Sequence, residues 1–324
     1  MYCPSFYSPT GHNDGLGGLW SHKRPACSST SKMFHFIYLL SQKTGAASAP
    51  GNPAGPIIPS HITPPISPDE EEKLVLRMQA TTQFIADRNP EKFASLLKLY
   101  PEALKIKESQ KKKKKGESLQ ELDKWYQEEL GQVANSRKPP NITRDELVRL
   151  MDWKLSRGKF RPRLIELAGS NSNESVQNAS MQGIELAKKS KIGDAVKALV
   201  ILKGVGPATA SGILAACVPE KCCFFADEVA KAIPSLSSLK YTSVEYEVLN
   251  SEMADCAQLL NSLAKQGDEK ENGNETWTPH KVELAVWTHS ILHQNKPELL
   301  SNLNEKRSCT EEEEQVSKAK KQKK

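Results

Sequence analysis

From Pro68 to Leu303 apolar residues recur three and four positions apart in one segment after another, and nowhere do they alternate over the length of a strand. A chain patterned in this way buries its apolar surface by packing helix on helix, so the expected class is all-α, a multi-helix bundle of roughly nine or ten helices. The segments carry their own start signals. Pro68 precedes a run of acidic residues that suits the first turn of a helix. Thr143 with Glu146 three positions on forms a capping box, and Leu147, Leu150, Met151 and Leu155 then fall on one face. "PEKFASLLKLYPEAL" is expected as a short helix, and "SLQELDKWYQEELGQVANS", "ESVQNASMQGIELAKK", "GDAVKALVIL" and "PATASGILAAC" as others. "SVEYEVLNSEMADCAQLLNSLAK" and "TPHKVELAVWTHSILHQ" make a last pair.

The flanks differ in kind. Residues 1–67 are rich in Pro, Gly, Ser and Thr without periodicity, and residues 304–324 are a charged tail, so both are expected to be disordered around one folded domain over 68–303. Lys111 to Lys115 are expected in a solvated loop. The apolar run "MFHFIYLL" is too short to span a bilayer, which leaves no membrane partner. A formal charge of +6 permits an anionic partner without demanding one. Seven cysteines, at 3, 27, 217, 222, 223, 256 and 309, form no CxxC pair and follow no secretory leader. They are expected as reduced thiols, mostly small buried residues, in a nuclear or cytoplasmic protein. His289 and His293 have the one-turn spacing of metal ligands, but Val282, Ala285, Val286 and His289 share a face, so a core histidine is preferred and no metal is expected.

"LKGVGPATA", Leu202 to Ala210, joins two helical segments through a turn in which Gly204 and Gly206 permit unusual backbone angles and Pro207 suits the first turn of the second helix. The N–H groups of Val205, Gly206 and Ala208 are expected to face outward at a helix N-terminus, where a phosphate fits. An ordinary αα-turn is the plain alternative. "WKLSRGKFRPRL" offers Lys154, Arg157, Lys159, Arg161 and Arg163 with Trp153 and Phe160 interleaved, a composition suited to gripping a phosphate backbone, or else an exposed helix end with its aromatics packed inward.

On Leu202, Gly204, Val205, Gly206, Thr209 and Ala210 the segment resembles the helix-hairpin-helix element of DNA-repair proteins, with Lys203 standing where proline is usual. The resemblance extends over about Ile142 to Leu292 to the DNA glycosylase superfamily, which includes endonuclease III and the adenine glycosylases. It implies duplex DNA as partner, with contacts at Lys203, Gly204, Val205, Gly206, Ala208 and Thr209. It implies no organic cofactor, and a monovalent cation at the hairpin carbonyls. It also implies a catalytic aspartate at Asp227, 21 positions after Gly206, although Ala226-Asp227-Glu228-Val229 departs from the usual Val-Asp-x-x-Val. Ala208 stands where strand-cutting members carry lysine, so a monofunctional N-glycosylase is implied. Two rivals stand beside it: a DNA-binding or scaffold protein without catalysis, in which Asp227 only caps a helix, and a helical protein-interaction module.

Overall fold

The computed structural model describes residues 68–111, 116–161, 163–236, 238–264 and 276–301. The chain divides into Met1–Pro64 and Pro65–Lys324, and every described residue lies in the second unit. The expectations for residues 1–67, for Lys112 to Lys115 and for the tail from 304 fall outside the described residues.

Among the described residues there are thirteen α-helical segments and no strand. They are α1 (Pro68–Asp87), α2 (Pro90–Lys98), α3 (Tyr100–Ser109), α4 (Leu119–Lys124), α5 (Gly131–Ser136), α6 (Arg144–Arg157) and α7 (Arg163–Gly169). After them come α8 (Asn173–Lys188), α9 (Ile192–Leu199), α10 (Pro207–Cys217), α11 (Asp227–Ala230), α12 (Ser243–Ala264) and α13 (Pro279–Asn295). The excess over the expected number has local causes. "PEKFASLLKLYPEAL" is two helices because Pro101 has no N–H and its ring would strike the Leu97 carbonyl, so α2 stops at Lys98. A π-helical stretch, Trp125–Leu130, separates α4 from α5. Caps read from sequence are in place: Thr143 and Glu146 form a capping box on α6, and Leu147, Leu150, Met151 and Leu155 are buried beneath it.

Two helices organise the packing. α13 is buried on every side, including Val282, Glu283, Val286, Trp287 and Thr288, and packs against α1, α2, α3, α11 and α12. α10 is likewise buried all round and packs against α5, α6, α8, α9, α12 and the π-helical stretch. A helix without a polar face belongs at the centre of a bundle, and the described residues include two such helices. His289 stacks on Phe84 at 4.6 Å and shares a 3.1 Å hydrogen bond with Thr81, the surroundings of a core histidine. Cys217, Cys222, Cys223 and Cys256 are free and buried. Burial pushes the Cys217 and Cys222 thiols up to about 12. No helix among the described residues is long and apolar enough to cross a membrane.

Candidate nucleic-acid interface and active site

The turn between α9 and α10 is built around two glycines with different duties. Gly204 adopts φ +78°, and a Cβ there would come within 2.9 Å of the Leu167 side chain and 3.2 Å of the Leu164 carbonyl, so α7 lies directly against it. Gly206 has an ordinary extended backbone, and a Cβ there would meet nothing within 4 Å. The first glycine is required by the fold, and the second keeps a surface open. Asn171 fixes the turn from outside: its Oδ1 accepts from the Lys203 N–H at 2.9 Å and its Nδ2 donates to the Lys203 carbonyl at 3.0 Å. The expected trio of outward N–H groups needs correction. Val205 donates its N–H to the Leu202 carbonyl at 3.1 Å and buries its side chain, because it closes the turn. The N–H groups of Gly206 and Ala208 are not engaged by these turn bonds. Thr209 is buried, whereas Lys203 is exposed.

The basic segment divides between inside and outside. Trp153 is fully buried, its Nε1 donating to Asp123 Oδ1 at 2.8 Å, while Phe160 is 59% exposed. Lys159, Arg161 and Arg163 are exposed and Lys154 is half-buried. Arg157 departs from the expectation of a backbone-phosphate contact. It is 1% exposed, its Nη2 donates to Glu283 Oε1 at 3.0 Å, and its guanidinium lies 4.3 Å from the Trp287 ring centre and 5.2 Å from that of Phe224. The segment ends a helix whose last turn faces the core, and that turn carries Arg157 inward. Lys111 also departs from expectation: its ammonium donates to the carbonyls of Leu155 and Gly158 at 2.7 Å each, holding the C-terminal end of α6.

Asp227 is the first residue of the one-turn helix α11; the cap position belongs to Ala226. Its carboxylate, 27% exposed, accepts a 3.0 Å hydrogen bond from Tyr241 Oη on Oδ2 and lies 3.8 Å from the Lys159 ammonium. Tyr241 holds this position with φ +57°, a left-handed backbone that disfavours a side chain of its size. Burial, with the charge and hydrogen bond of Asp227, pushes its hydroxyl up to about 12, so it stays a donor through the neutral range. Sequence reasoning missed Tyr241, since it touches Asp227 only through the fold. The neighbouring Glu228 turns to Lys107 at 2.8 Å. Burial pushes its carboxyl up, but the Lys107 ion pair and hydrogen bond carry it below its ordinary range.

These parts converge. One open cavity of about 550 Å³ is lined by Gly204, Gly206, Ala208 and Thr209 of the turn, by Lys154, Arg157, Lys159 and Arg161 of the basic segment, and by Asp227 and Tyr241. Phe224, Phe225 and Trp287 supply its aromatic wall. Lys203, Val205 and Arg163 are not among the lining residues. Of the turn carbonyls offered to a monovalent cation, three already accept hydrogen bonds and fit the cation poorly: Leu202 from Val205, Lys203 from Asn171, and Gly206 from Thr209 and Ala210. Among the described residues, no group of three or more His, Cys, Asp or Glu could hold a metal ion. No family model, no curated protein and no solved structure matches the chain.

Proposed function

We propose that the chain binds duplex DNA through the α9–α10 turn, as a divergent helix-hairpin-helix protein, and hydrolyses the N-glycosidic bond of a base extruded into the adjoining cavity. One observation carries this: the open face of Gly206, the Lys154 and Arg161 cations, and the Asp227 carboxylate all line the same cavity. A phosphate approaching Gly206 meets no side chain there, and cations close by favour the polyanion. The cavity is large enough for a flipped base, and its aromatic wall suits a flat ring.

The chemistry assigned to Asp227 follows from charge. As the C1′–N bond breaks, its electron pair leaves with the base and positive charge grows on the sugar, which a carboxylate stabilises. Water then bonds to C1′, its proton passes to Asp227 and onward to the departed base, and the products are the free base and an abasic sugar. Tyr241 on Oδ2 fixes the carboxylate's rotation and leaves Oδ1 to face sugar and water. Ala208 stands where strand-cutting members carry their Schiff-base lysine, so the reading is of base release without strand cleavage.

The test is a panel of duplexes, each carrying one modified or mismatched base. The expected result is release of at least one free base, leaving a site that breaks only after alkali, with release lost in Asp227→Asn by about a hundredfold or more while DNA binding is kept. Binding without release from any duplex favours the non-catalytic DNA-binding protein. That rival has its own support in the partners Asp227 already holds, Tyr241 and Lys159.

A further inference from the structure

The cavity carries a charge pattern that the proposed reaction does not by itself require. Seven basic side chains line it against two acidic ones, Asp227 and Glu228. Each acid is already committed to a cation, Asp227 to Lys159 and Glu228 to Lys107, and Arg157 is paired with Glu283. Lys154, Arg161, Lys231 and Lys240 take part in no ion pair among the described residues. Two of these four, Lys154 and Lys231, are only half-exposed, so they lie further from solvent than the exposed Arg161 and Lys240. Phosphates outside the cavity would be met first by the exposed pair. The inner excess of positive charge would then remain for whatever enters.

From this we infer that the cavity accepts an uncharged or acidic base bearing ring carbonyl groups and rejects a cationic, ring-alkylated one. The inference rests on the glycosylase reading and narrows it. Bond breakage explains the preference. A neutral keto base departs with the C1′–N electron pair as an anion spread over its carbonyl oxygens, and the surrounding ammonium and guanidinium groups stabilise that anion until a proton reaches it. A cationic base departs neutral and gains nothing from those groups, yet to enter it must bring a positive charge where basic side chains outnumber acidic ones. Of the two carboxylates, Glu228 is held by Lys107, and Asp227, paired through Oδ2 with Lys159, keeps Oδ1 for the sugar. Burial, and next the Arg161 charge, hold the Lys154 ammonium below its ordinary range against the opposing pull of Asp227.

The experiment uses the full-length Asp227→Asn protein, so that affinity is read without turnover. Matched duplexes carry 8-oxoguanine, xanthine or uracil on one side, and 7-methylguanine or 3-methyladenine on the other. Binding is compared with that of the unmodified duplex at one salt concentration. The expected result is a preference of about tenfold or more for the keto-base duplexes over the cationic ones. The double variant Lys154→Met/Lys231→Gln, made in the same background, should cut that preference by about threefold or more. Equal affinity for all duplexes, or tighter binding of the cationic bases, overturns the inference and leaves DNA binding standing. A preference unchanged in the double variant also overturns it, because the charge would then not be its source. Failure to retain any duplex, modified or not, overturns the DNA reading itself and the inference with it.

Discussion

Arg157 and Arg161 stand four positions apart and live in different media. Arg157 belongs to the inner wall of the cavity, where Asp123, Glu283, Trp153 and Trp287 surround it. Arg161 belongs to the rim, in water, beside Lys159 and Phe160. The same side-chain chemistry therefore has opposite work. At the inner wall a guanidinium must be paired to exist at all, since an uncompensated buried charge is very costly. At the rim it is cheaply hydrated and available to a partner, and salt screens it. The comparison teaches that a basic run in sequence is not one functional surface, because the helix period distributes it between core and solvent.

The comparison breaks most visibly at the inner wall. Arg157→Met should destabilise the fold by about 3–5 kcal/mol, because Glu283 loses its buried partner and must bind a proton or stay charged without one. Replacing Glu283 as well, by leucine, should recover most of that loss. Denaturant melts of the two single variants and the double one measure the coupling. Arg161→Met should leave the melting transition nearly where it was.

Acid provides the next test, again of the interior. His280 is held down to about 3 by burial and then by Arg157, and His289 to about 4 by burial and then by His293. A base whose folded pKa is depressed favours its neutral form in the native state, so its contribution is complete above the ordinary histidine range. That contribution is lost as pH falls from about 6.5 toward 4. Glu283 works in the opposite sense: burial pushes its carboxyl up to about 7, so the folded state binds its proton more readily than the unfolded chain between roughly 4.5 and 7. With two imidazoles against one carboxyl, the melting temperature should decline on acidification below about 6.5. His289→Gln should flatten part of that decline; a flat profile for the parent chain would refute the assignment.

The two glycines of the turn sharpen the comparison at smaller scale. Gly204→Ala should cost about 1–2 kcal/mol or more in stability, from its left-handed backbone and the contact with α7. Gly206→Ala should leave stability within about 0.5 kcal/mol, yet weaken duplex binding, because its methyl projects only into open space. If Gly206→Ala bound DNA like the parent, the turn would not be the phosphate site. The smallest effect is expected at the rim. Arg161→Met should weaken duplex binding alike for all sequences and lower the slope of log affinity against log salt by about 1.

The fold class was legible because helix period and caps are local: Thr143, Ser118 and Pro207 act within a few residues of themselves. That Asp227 comes beside the turn was implied by the resemblance to the glycosylase superfamily, and not by any local pattern between them. What escaped is long-range. Nothing near Arg157 in sequence announces Glu283, 126 positions away, and nothing near Lys111 announces the end of α6. Tyr241 lies 14 positions beyond Asp227, past a one-turn helix whose direction no periodicity reveals. Nothing near Asn171 in sequence announces its side chain's destination, the backbone of Lys203, 32 residues on. The extra helix breaks came from single residues such as Pro101, whose effect depends on where the preceding turn ends.

Asn171 has a consequence for speed as well as shape. By holding both backbone groups of Lys203, while Gly204 sits tightly against α7, it makes the tip of the α9–α10 turn move as one body with α7. The conformational entropy of the turn is thus surrendered once, during folding, and not again at each encounter with a partner. Association at this surface then waits on diffusion and electrostatic steering, without a separate step in which a loop must find its shape. Asn171→Ala would restore that step, and its signature would be a slower on-rate with bound-state contacts and off-rate left largely intact.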